Sequence, residues 1–308
     1  MSHDDLAGVF APVLTPFTAK LAPDTALFQR FCRWVLSQGS GLAIFGTNSE
    51  ANSLSVAERL ALLSALIEAG LPAARMMPGT GACALSDAVT LCAAAARAKT
   101  AAVLMLPPFY YKEVPEDGLF AFYSEAIERV GDANLRICLY HIPQVSGVPI
   151  TLALIARLVA RYPNTVVGIK DSGGDFKNTK AMIDAFPGFR VFCGSERFLL
   201  DTMKAGGAGC ISAMANINPA AIVSLYENWN SADAAAVQER LNAARVAFDG
   251  TVMIPALKRA VCDYGSAATF RFVRPPLVAT PDSDWTRIKS RLNQLAFTMP
   301  KLDAMLAA

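Results

Sequence analysis

The chain has 308 residues, 53% hydrophobic and 18% charged, with a formal net charge of +2. That length fits one large α/β domain or two ordinary ones. The near-neutral charge, with lysines and arginines scattered along the chain, argues against a nucleic-acid stripe or an acidic-membrane partner.

Met1-Ser2-His3-Asp4-Asp5 shows no basic region followed by an apolar one, so no signal peptide is expected. Short apolar runs then recur, each followed by a segment of helical period. Gly8–Thr15 is the first run and Thr25 to Ser37 its helix. Gly41–Gly46 follows, then a helix opened by Ser55-Val56-Ala57-Glu58, which has capping-box spacing. Arg75–Gly79 leads into an alanine-rich helix from Leu85 to Ala98. Ala101–Leu106 comes next, with a Tyr/Pro loop and a helix from Asp117 to Val130. The most apolar stretch, Leu91 to Phe109, is broken by Arg97, Lys99 and Pro107-Pro108, so it reads as helix, turn and strand, not as a membrane span.

Leu135–Tyr140 precedes the helix from Thr151 to Arg161, and Thr165–Lys170 is the sixth run. Phe189–Gly194 and Gly209–Met214 supply a seventh and an eighth. About eight strand–helix alternations are the unit count of a (β/α)8 TIM barrel, with a doubly wound sheet as runner-up. After about Ser231 the alternation stops. Ala234 to Phe248, Pro255 to Tyr264 and Asp284 to Ala296 read as helices, so the expected division is a barrel over 1–230 and a C-terminal helical extension over 231–308, packed on it. Seven cysteines without C-x-x-C spacing read as reduced, buried residues of a cytoplasmic protein. His3 and His141 are the only histidines, and no zinc site is expected.

The sixth run stops at a lysine. Val166, Gly168 and Lys170 share one face by strand alternation. If that face is the barrel interior, the amine stands at the strand's carboxyl end, over space left by Gly168. A desolvated lysine loses proton affinity and becomes a nucleophile for carbonyl carbon. Active sites of such barrels lie at the strands' carboxyl ends, and other candidates stand there. Gly46-Thr47-Asn48-Ser49-Glu50 is a tight turn whose backbone N–H groups suit a carboxylate. Pro107-Pro108-Phe109-Tyr110-Tyr111-Lys112 is a stiff loop that presents phenols. Tyr140 points inward if Cys138 does, and His141 then points toward the helices. Gly79-Thr80-Gly81-Ala82-Cys83-Ala84 matches G-x-G-x-x-A, but it follows the third run, and Lys99, Thr100 and Ala101 stand where an acidic residue belongs, so a dinucleotide site is rejected.

Together the G-T-x-x-E turn at Gly46–Glu50, Tyr140-x-x-Pro143 and Gly168-Ile169-Lys170 resemble the pyruvate-dependent class I aldolase superfamily of dihydrodipicolinate synthase and N-acetylneuraminate lyase. The resemblance runs from about Val9 to Asn216, with a weaker echo at Arg274-Pro275-Pro276. It implies that Lys170 forms a Schiff base, that Tyr140 is the acid/base phenol, and that Thr47 passes protons with help from Tyr110 of a neighbouring subunit. Thr47 and Asn48 would bind the pyruvate carboxylate, with Gly194, Glu196, Arg197 and Ser212 as further substrate contacts. No metal or organic cofactor is implied. The partners would be pyruvate and a small aldehyde or 2-keto acid, and the assembly a homotetramer, a dimer of dimers.

The sequence departs from that pattern in places. Dihydrodipicolinate synthases carry an arginine shortly after the tyrosine–proline motif, where Val145 stands here; Asn48 and Ser49 replace Thr and Gly of G-T-T-G-E. The segment Tyr140–Val148 looks more like the neuraminate-lyase side, as does Gly194-Ser195-Glu196, where Glu196 would take an acceptor hydroxyl and Arg197 an anionic end. The expected activity is a Schiff-base aldolase or lyase acting on a 2-keto-3-deoxy sugar acid-like substrate. Dihydrodipicolinate synthase, a dehydratase or hydratase working through the same imine, and a non-catalytic keto-acid-binding barrel are the alternatives.

Overall fold

The structure, a computed structural model, describes residues 6–307. His3 and the rest of the N-terminal pentapeptide, on which the signal-peptide expectation rests, lie outside the described residues. Seven strands form among those described: β1 (Gly8–Ala11), β2 (Gly41–Leu42), β3 (Val103–Met105), β4 (Ile137–His141), β5 (Val166–Asp171), β6 (Arg190–Cys193) and β7 (Gly209–Ile211). The helices up to β7 are α1 (Thr25–Ser37), α2 (Val56–Glu68), α3 (Leu85–Arg97), α4 (Glu116–Val130), α5 (Pro143–Ser146), α6 (Leu152–Arg161), α7 (Phe176–Ala185) and α8 (Leu199–Lys204). After β7 come α9 (Pro219–Glu227), α10 (Ala234–Val246), α11 (Met253–Tyr264), α12 (Asp282–Gln294) and α13 (Leu302–Ala307). The chain folds into two compact units. One comprises Pro72–Ile211 with the segment ending at Gly8; the other comprises Val9–Leu71 and Ser212–Ala308.

In the first unit β3, β4, β5, β6 and β7 lie side by side in chain order, all parallel. The one expected run that forms no strand, the third at Arg75–Gly79, is reduced to one parallel bridge between Gly79 and Leu104. Its carbonyls still pair: Ala101 N–H donates to Met76 O at 2.9 Å and Leu104 N–H to Pro78 O at 2.9 Å. Pro78 has no N–H to return, which stops a ladder there. Strands with both faces covered need apolar side chains on both, and the sequence supplies them. Met105, Ile137, Leu139, Val166, Ile169 and Val191 share a core with Ala88, Cys92, Ala95 and Ala96 of α3 and Leu119, Tyr123 and Ala126 of α4. Small residues on α3 let its backbone approach closely.

In the second unit β1 and β2 pair in parallel, Phe10 opposite Gly41 and Ala11 opposite Leu42. The expected capping box is formed at α2: Glu58 N–H donates to Ser55 Oγ at 3.1 Å and Ser55 N–H to Glu58 Oε2 at 2.9 Å. The C-terminal segment shares a core with α1. Phe31 stacks on Trp34 at 5.8 Å and meets the Phe270 ring edge-on at 4.9 Å, while Trp34 Nε1 donates to Pro300 O at 2.9 Å. All seven cysteines are free; Cys83 is exposed and Cys262 partly so, against the expectation that all are buried. Cys83 and Ala84 make an exposed bend between the buried segment 76–82 and α3, whose apolar positions begin only after it. No helix among the described residues is long and apolar enough to cross a membrane.

Gly168 corrects one expectation. A Cβ there would stand 2.4 Å from Arg190 O and 2.9 Å from Arg190 Cβ. The missing side chain admits the backbone of β6; it does not leave a void beneath Lys170. Gly168→Ala is therefore expected to lower stability by about 1–3 kcal/mol through overpacking, measured by urea or thermal unfolding. An unfolding midpoint equal to wild type would refute the close approach.

Candidate active site

The site in the first unit is built where β4 and β5 end. Tyr140 stands opposite Lys170 in register, and Lys170 opposite Phe192 of β6, so the three residues form one row. Lys170 is only 2% exposed, and its Nζ lies 4.2 Å from the centroid of the Tyr140 ring. An ammonium over an aromatic face gains electrostatic attraction, which holds the amine against the phenol. Cys138 lies one pleat before Tyr140. Burial pushes its thiol well above the usual range, with the Lys170 charge opposing. The Cys210 thiol is raised too, by its hydrogen bond to Cys193 and by burial, again against Lys170. The amine is thus buried against an aromatic ring.

The next residues along each strand face the other way, as alternation predicts. His141 and Asp171 are partners in register. Asp171 Oδ2 accepts from Thr179 Oγ1 at 2.7 Å and Asn178 Nδ2 at 3.1 Å, both on α7, and Oδ1 accepts from Gly173 N–H at 2.9 Å. His141 Nδ1 accepts from Ile150 N–H at 3.0 Å, which places the ring proton on Nε2, 4.0 Å from Asp171 Oδ1. Strand-end carbonyls are used as well: Ser172 N–H donates to His141 O at 2.8 Å and Gly194 N–H to Asp171 O at 2.6 Å. Sequence reasoning found neither residue's role: the partners lie within nine positions, but across loops and a helix start whose geometry carries no periodic signal.

Gly194-Ser195 turns the chain after β6. A Cβ on Gly194 would meet Ser172 Oγ at 2.1 Å, so glycine is required there. Ser195 Oγ accepts from Arg197 N–H at 3.3 Å and caps the 3-10 turn Glu196–Phe198; Glu196 is buried and Arg197 half-buried. Tyr110 projects from its loop, 75% exposed, edge-to-face with Tyr111 at 5.3 Å. Lys112 anchors that loop, its Nζ donating to Phe109 O and, at 2.6 Å, to Ser146 O at the end of α5.

Thr47, Asn48 and Ser212 belong to the second unit. Thr47 and Asn48 open a 3-10 turn, Thr47–Ser49, whose bonds begin with Ser49 N–H to Gly46 O at 3.1 Å and Glu50 N–H to Thr47 O at 3.1 Å. Ser212 Oγ accepts from Met214 N–H at 3.3 Å and caps the turn Ala213–Asn216. Asn216 ties that turn to the segment after β1, with Oδ1 accepting from Leu14 N–H at 3.0 Å and Nδ2 donating to Pro12 O at 3.1 Å.

Glu50 closes the Thr47 turn in a left-handed conformation (φ 57°). Its carboxylate is buried against Lys258 Nζ at 2.6 Å and accepts Arg274 N–H at 3.0 Å. Burial lowers the Lys258 ammonium to about 8, with the Glu50 charge opposing. Arg274 grips Glu58 through two nitrogens, at 2.9 and 2.5 Å, and its hydrogen bonds pull the Glu58 carboxyl down to about 2. The sequence shows Glu50 and Glu58 as motif and cap residues; their partners lie more than 200 residues on. Among the described residues no group of three or more His, Cys, Asp or Glu could hold a metal ion.

Burial lowers the His141 pKa below its ordinary value, with Asp171 opposing. The folded state therefore disfavours its protonated form. Stability from the neutral ring is complete above the unfolded pKa of about 6.5 and is lost as pH falls through it. The urea midpoint is expected to fall between pH 7 and 5, and more shallowly in His141→Gln, whose amide oxygen can still accept Ile150 N–H. A variant as steep as wild type would remove His141 from the acid response.

Residues 5–295 match the model of the "Dihydrodipicolinate synthetase family". A curated relative from Chloroflexus aurantiacus, described as an "Uncharacterized DapA-like lyase", is 36% identical over 82% of this chain and 85% of its own. A second, from Escherichia coli, is described as a "Probable 2-dehydro-3-deoxy-D-pentonate aldolase" and is 29% identical over 74% and 76%. Among solved structures, dihydrodipicolinate synthase from Agrobacterium tumefaciens superposes with a TM-score of 0.87 at 31% identity, covering 94% of this chain and 99% of that one. YagE from Escherichia coli, solved in complex with pyruvate, gives 0.86 at 26% identity, with the same coverages. A parallel α/β fold, a lysine buried against a tyrosine at adjacent strand ends and a family match over nearly the whole length agree: the chain belongs to the dihydrodipicolinate synthetase family, a family of class I lyases and aldolases.

Proposed function

We propose that this chain is a pyruvate-dependent Schiff-base aldolase that makes or cleaves a 2-keto-3-deoxy sugar acid-like compound, on a (β/α)8 barrel to which the Arg75–Gly79 run contributes the remaining strand position. The observation that carries the reading is the Lys170 amine, 2% exposed and 4.2 Å from the Tyr140 ring. In its neutral form the amine attacks the keto carbon, the carbinolamine loses water, and a protonated imine results. That iminium accepts the electron pair left when a proton leaves C3, giving an enamine. The enamine carbon adds to an aldehyde, whose oxygen takes a proton, and water then releases the product. Cleavage runs the same steps backward.

Tyr140 moves the protons as general acid and base, with Thr47 in the relay and Tyr110 reaching in from a neighbouring subunit. The exposed Tyr110, Tyr111 and Val145, the last 61% exposed, support a surface that another copy covers in a homotetramer. Thr47 and Asn48 take the substrate carboxylate on backbone N–H groups, and Ser212 is a further contact. Val145 cannot supply the bidentate guanidinium that a dicarboxylate acceptor needs. That favours a hydroxylated aldehyde over dihydrodipicolinate synthesis, and a relative described as a pentonate aldolase agrees in substrate class. Glu196 takes an acceptor hydroxyl and Arg197 its anionic end.

Borohydride reduction with pyruvate, followed by peptide mapping, is expected to place a pyruvyl adduct on Lys170. Lys170→Ala should lose the adduct and about a thousandfold or more in kcat. A folded wild-type protein that forms no adduct would sink the aldolase reading and restore the non-catalytic keto-acid-binding barrel. An aldehyde panel that includes aspartate semialdehyde then separates sugar-acid chemistry from the synthase. Arg197→Ala is expected to lose about tenfold in preference for anionic over neutral aldehydes, and unchanged selectivity would remove Arg197 from the acceptor site.

A further inference from the structure

We infer that Lys258, through Glu50, is a positioning residue for the keto-acid carboxylate, clamping the Thr47–Asn48 turn from beneath. The inference rests on the reading that this turn receives the carboxylate. Glu50 is the joint between two 3-10 turns, Thr47–Ser49 and Ala51–Ser53, as C-cap of the first and N-cap of the second. Three-residue turns of this kind have poor hydrogen-bond geometry and few bonds of their own. This one has Ser49 N–H and Ala51 N–H on Gly46 O at 3.1 and 3.3 Å, and Glu50 N–H on Thr47 O at 3.1 Å. Its joint, moreover, is a non-glycine residue at φ 57°, a conformation that persists only where surroundings impose it.

Part of the turn's support is nearer in the chain, with Thr15 Oγ1 donating to Ser49 O at 2.8 Å and Gly46 N–H to Ser49 Oγ at 3.2 Å, but the Glu50 side chain itself is held from the far end of the chain. Lys258 Nζ holds Glu50 Oε1 at 2.6 Å with both side chains at most 1% exposed, and the Arg274 N–H holds Oε2 at 3.0 Å. The Arg274 guanidinium reaches Ser53 O at 2.6 Å and so fixes the second turn as well. Phe17 lies beneath both cations, 4.3 Å from Lys258 Nζ and 4.7 Å from Arg274 Cζ. A purely stabilising ion pair has no need to end on the residue that sets a turn's backbone. This one does, two positions after Asn48, the second of the two residues whose N–H groups would meet an anion. All the groups named lie in one compact unit.

The test measures the pyruvate concentration that half-saturates borohydride trapping on Lys170, together with amide exchange across residues 46–51. It uses wild type, Lys258→Met, Glu50→Gln, the double variant and Leu292→Ala, a core truncation in α12 that serves as a stability control. Each single variant is expected to raise the half-saturating pyruvate about tenfold or more while keeping the maximal trapped fraction, since small misplacements of a binding group are costly. Exchange across 46–51 should quicken, and the double variant should shift no further than the larger single one, because the pair acts as a unit. Leu292→Ala should do neither. An unchanged half-saturation in folded Lys258→Met, or a rise matched by Leu292→Ala, overturns the proposal. If Lys258→Met does not fold, the double variant, which leaves no lone buried charge, decides in its place. If wild type is not trapped at all, the pyruvate reading falls separately, and exchange alone then decides the clamp: unchanged protection at 46–51 overturns it, and selective loss supports it.

Discussion

No side chain fits at Gly168, because the backbone of β6 passes too close: a Cβ would stand 2.4 Å from Arg190 O. That contact holds β5 tightly between its neighbours. Once Gly168 is set opposite Cys138 and Arg190, the pleat leaves no choice about the residues beyond it. Lys170 comes opposite Tyr140 on one side and Phe192 on the other. The Lys170–Tyr140 row is therefore a consequence of backbone proximity two residues below it. The strand ends are then fixed from the opposite face, where Asp171 collects three hydrogen bonds and His141 takes one from Ile150 N–H. The Lys170–Tyr140 side of the pleat is backed by a polar network on the other.

The second unit solves a different problem with buried charge. An ion pair without water gains nothing over well-packed apolar groups in most settings, yet removing one partner strands the other at a cost of about 3–5 kcal/mol. Glu50 and Lys258 accept that liability at the joint between two short 3-10 turns. Arg274 extends the arrangement to Glu58, so one segment near residue 274 holds both a turn and the first residues of α2. Specifying a backbone shape is the use to which such a pair is suited, since each charge tolerates only one position for the other.

Several features were legible beforehand because they are local. Alternation put Tyr140 and Lys170 on one face and His141 on the other, as found. Ser55 and Glu58 announced the start of α2, and the G-T-x-x-E, Tyr-x-x-Pro and Gly-Ile-Lys signatures pointed to the family that the whole-chain match establishes. The third run was misjudged as a full strand because hydrophobicity does not register the N–H that Pro78 lacks. Gly168 was misjudged because a glycine that leaves space and a glycine that admits a neighbouring backbone look the same in one dimension.

By itself, then, the sequence determined most of the element types, the faces of the strands and which lysine to examine, all properties of period two, period 3.6 and residue chemistry. Tertiary structure alone decided which residue opposes which. The Lys170–Tyr140 row, the Asp171–Thr179 bond and the Glu50–Lys258 pair each join segments whose separation carries no periodic signal. The last spans 208 positions. Local propensity acts over a few residues, whereas register and buried charge pairing are settled only when distant segments exclude water from one another.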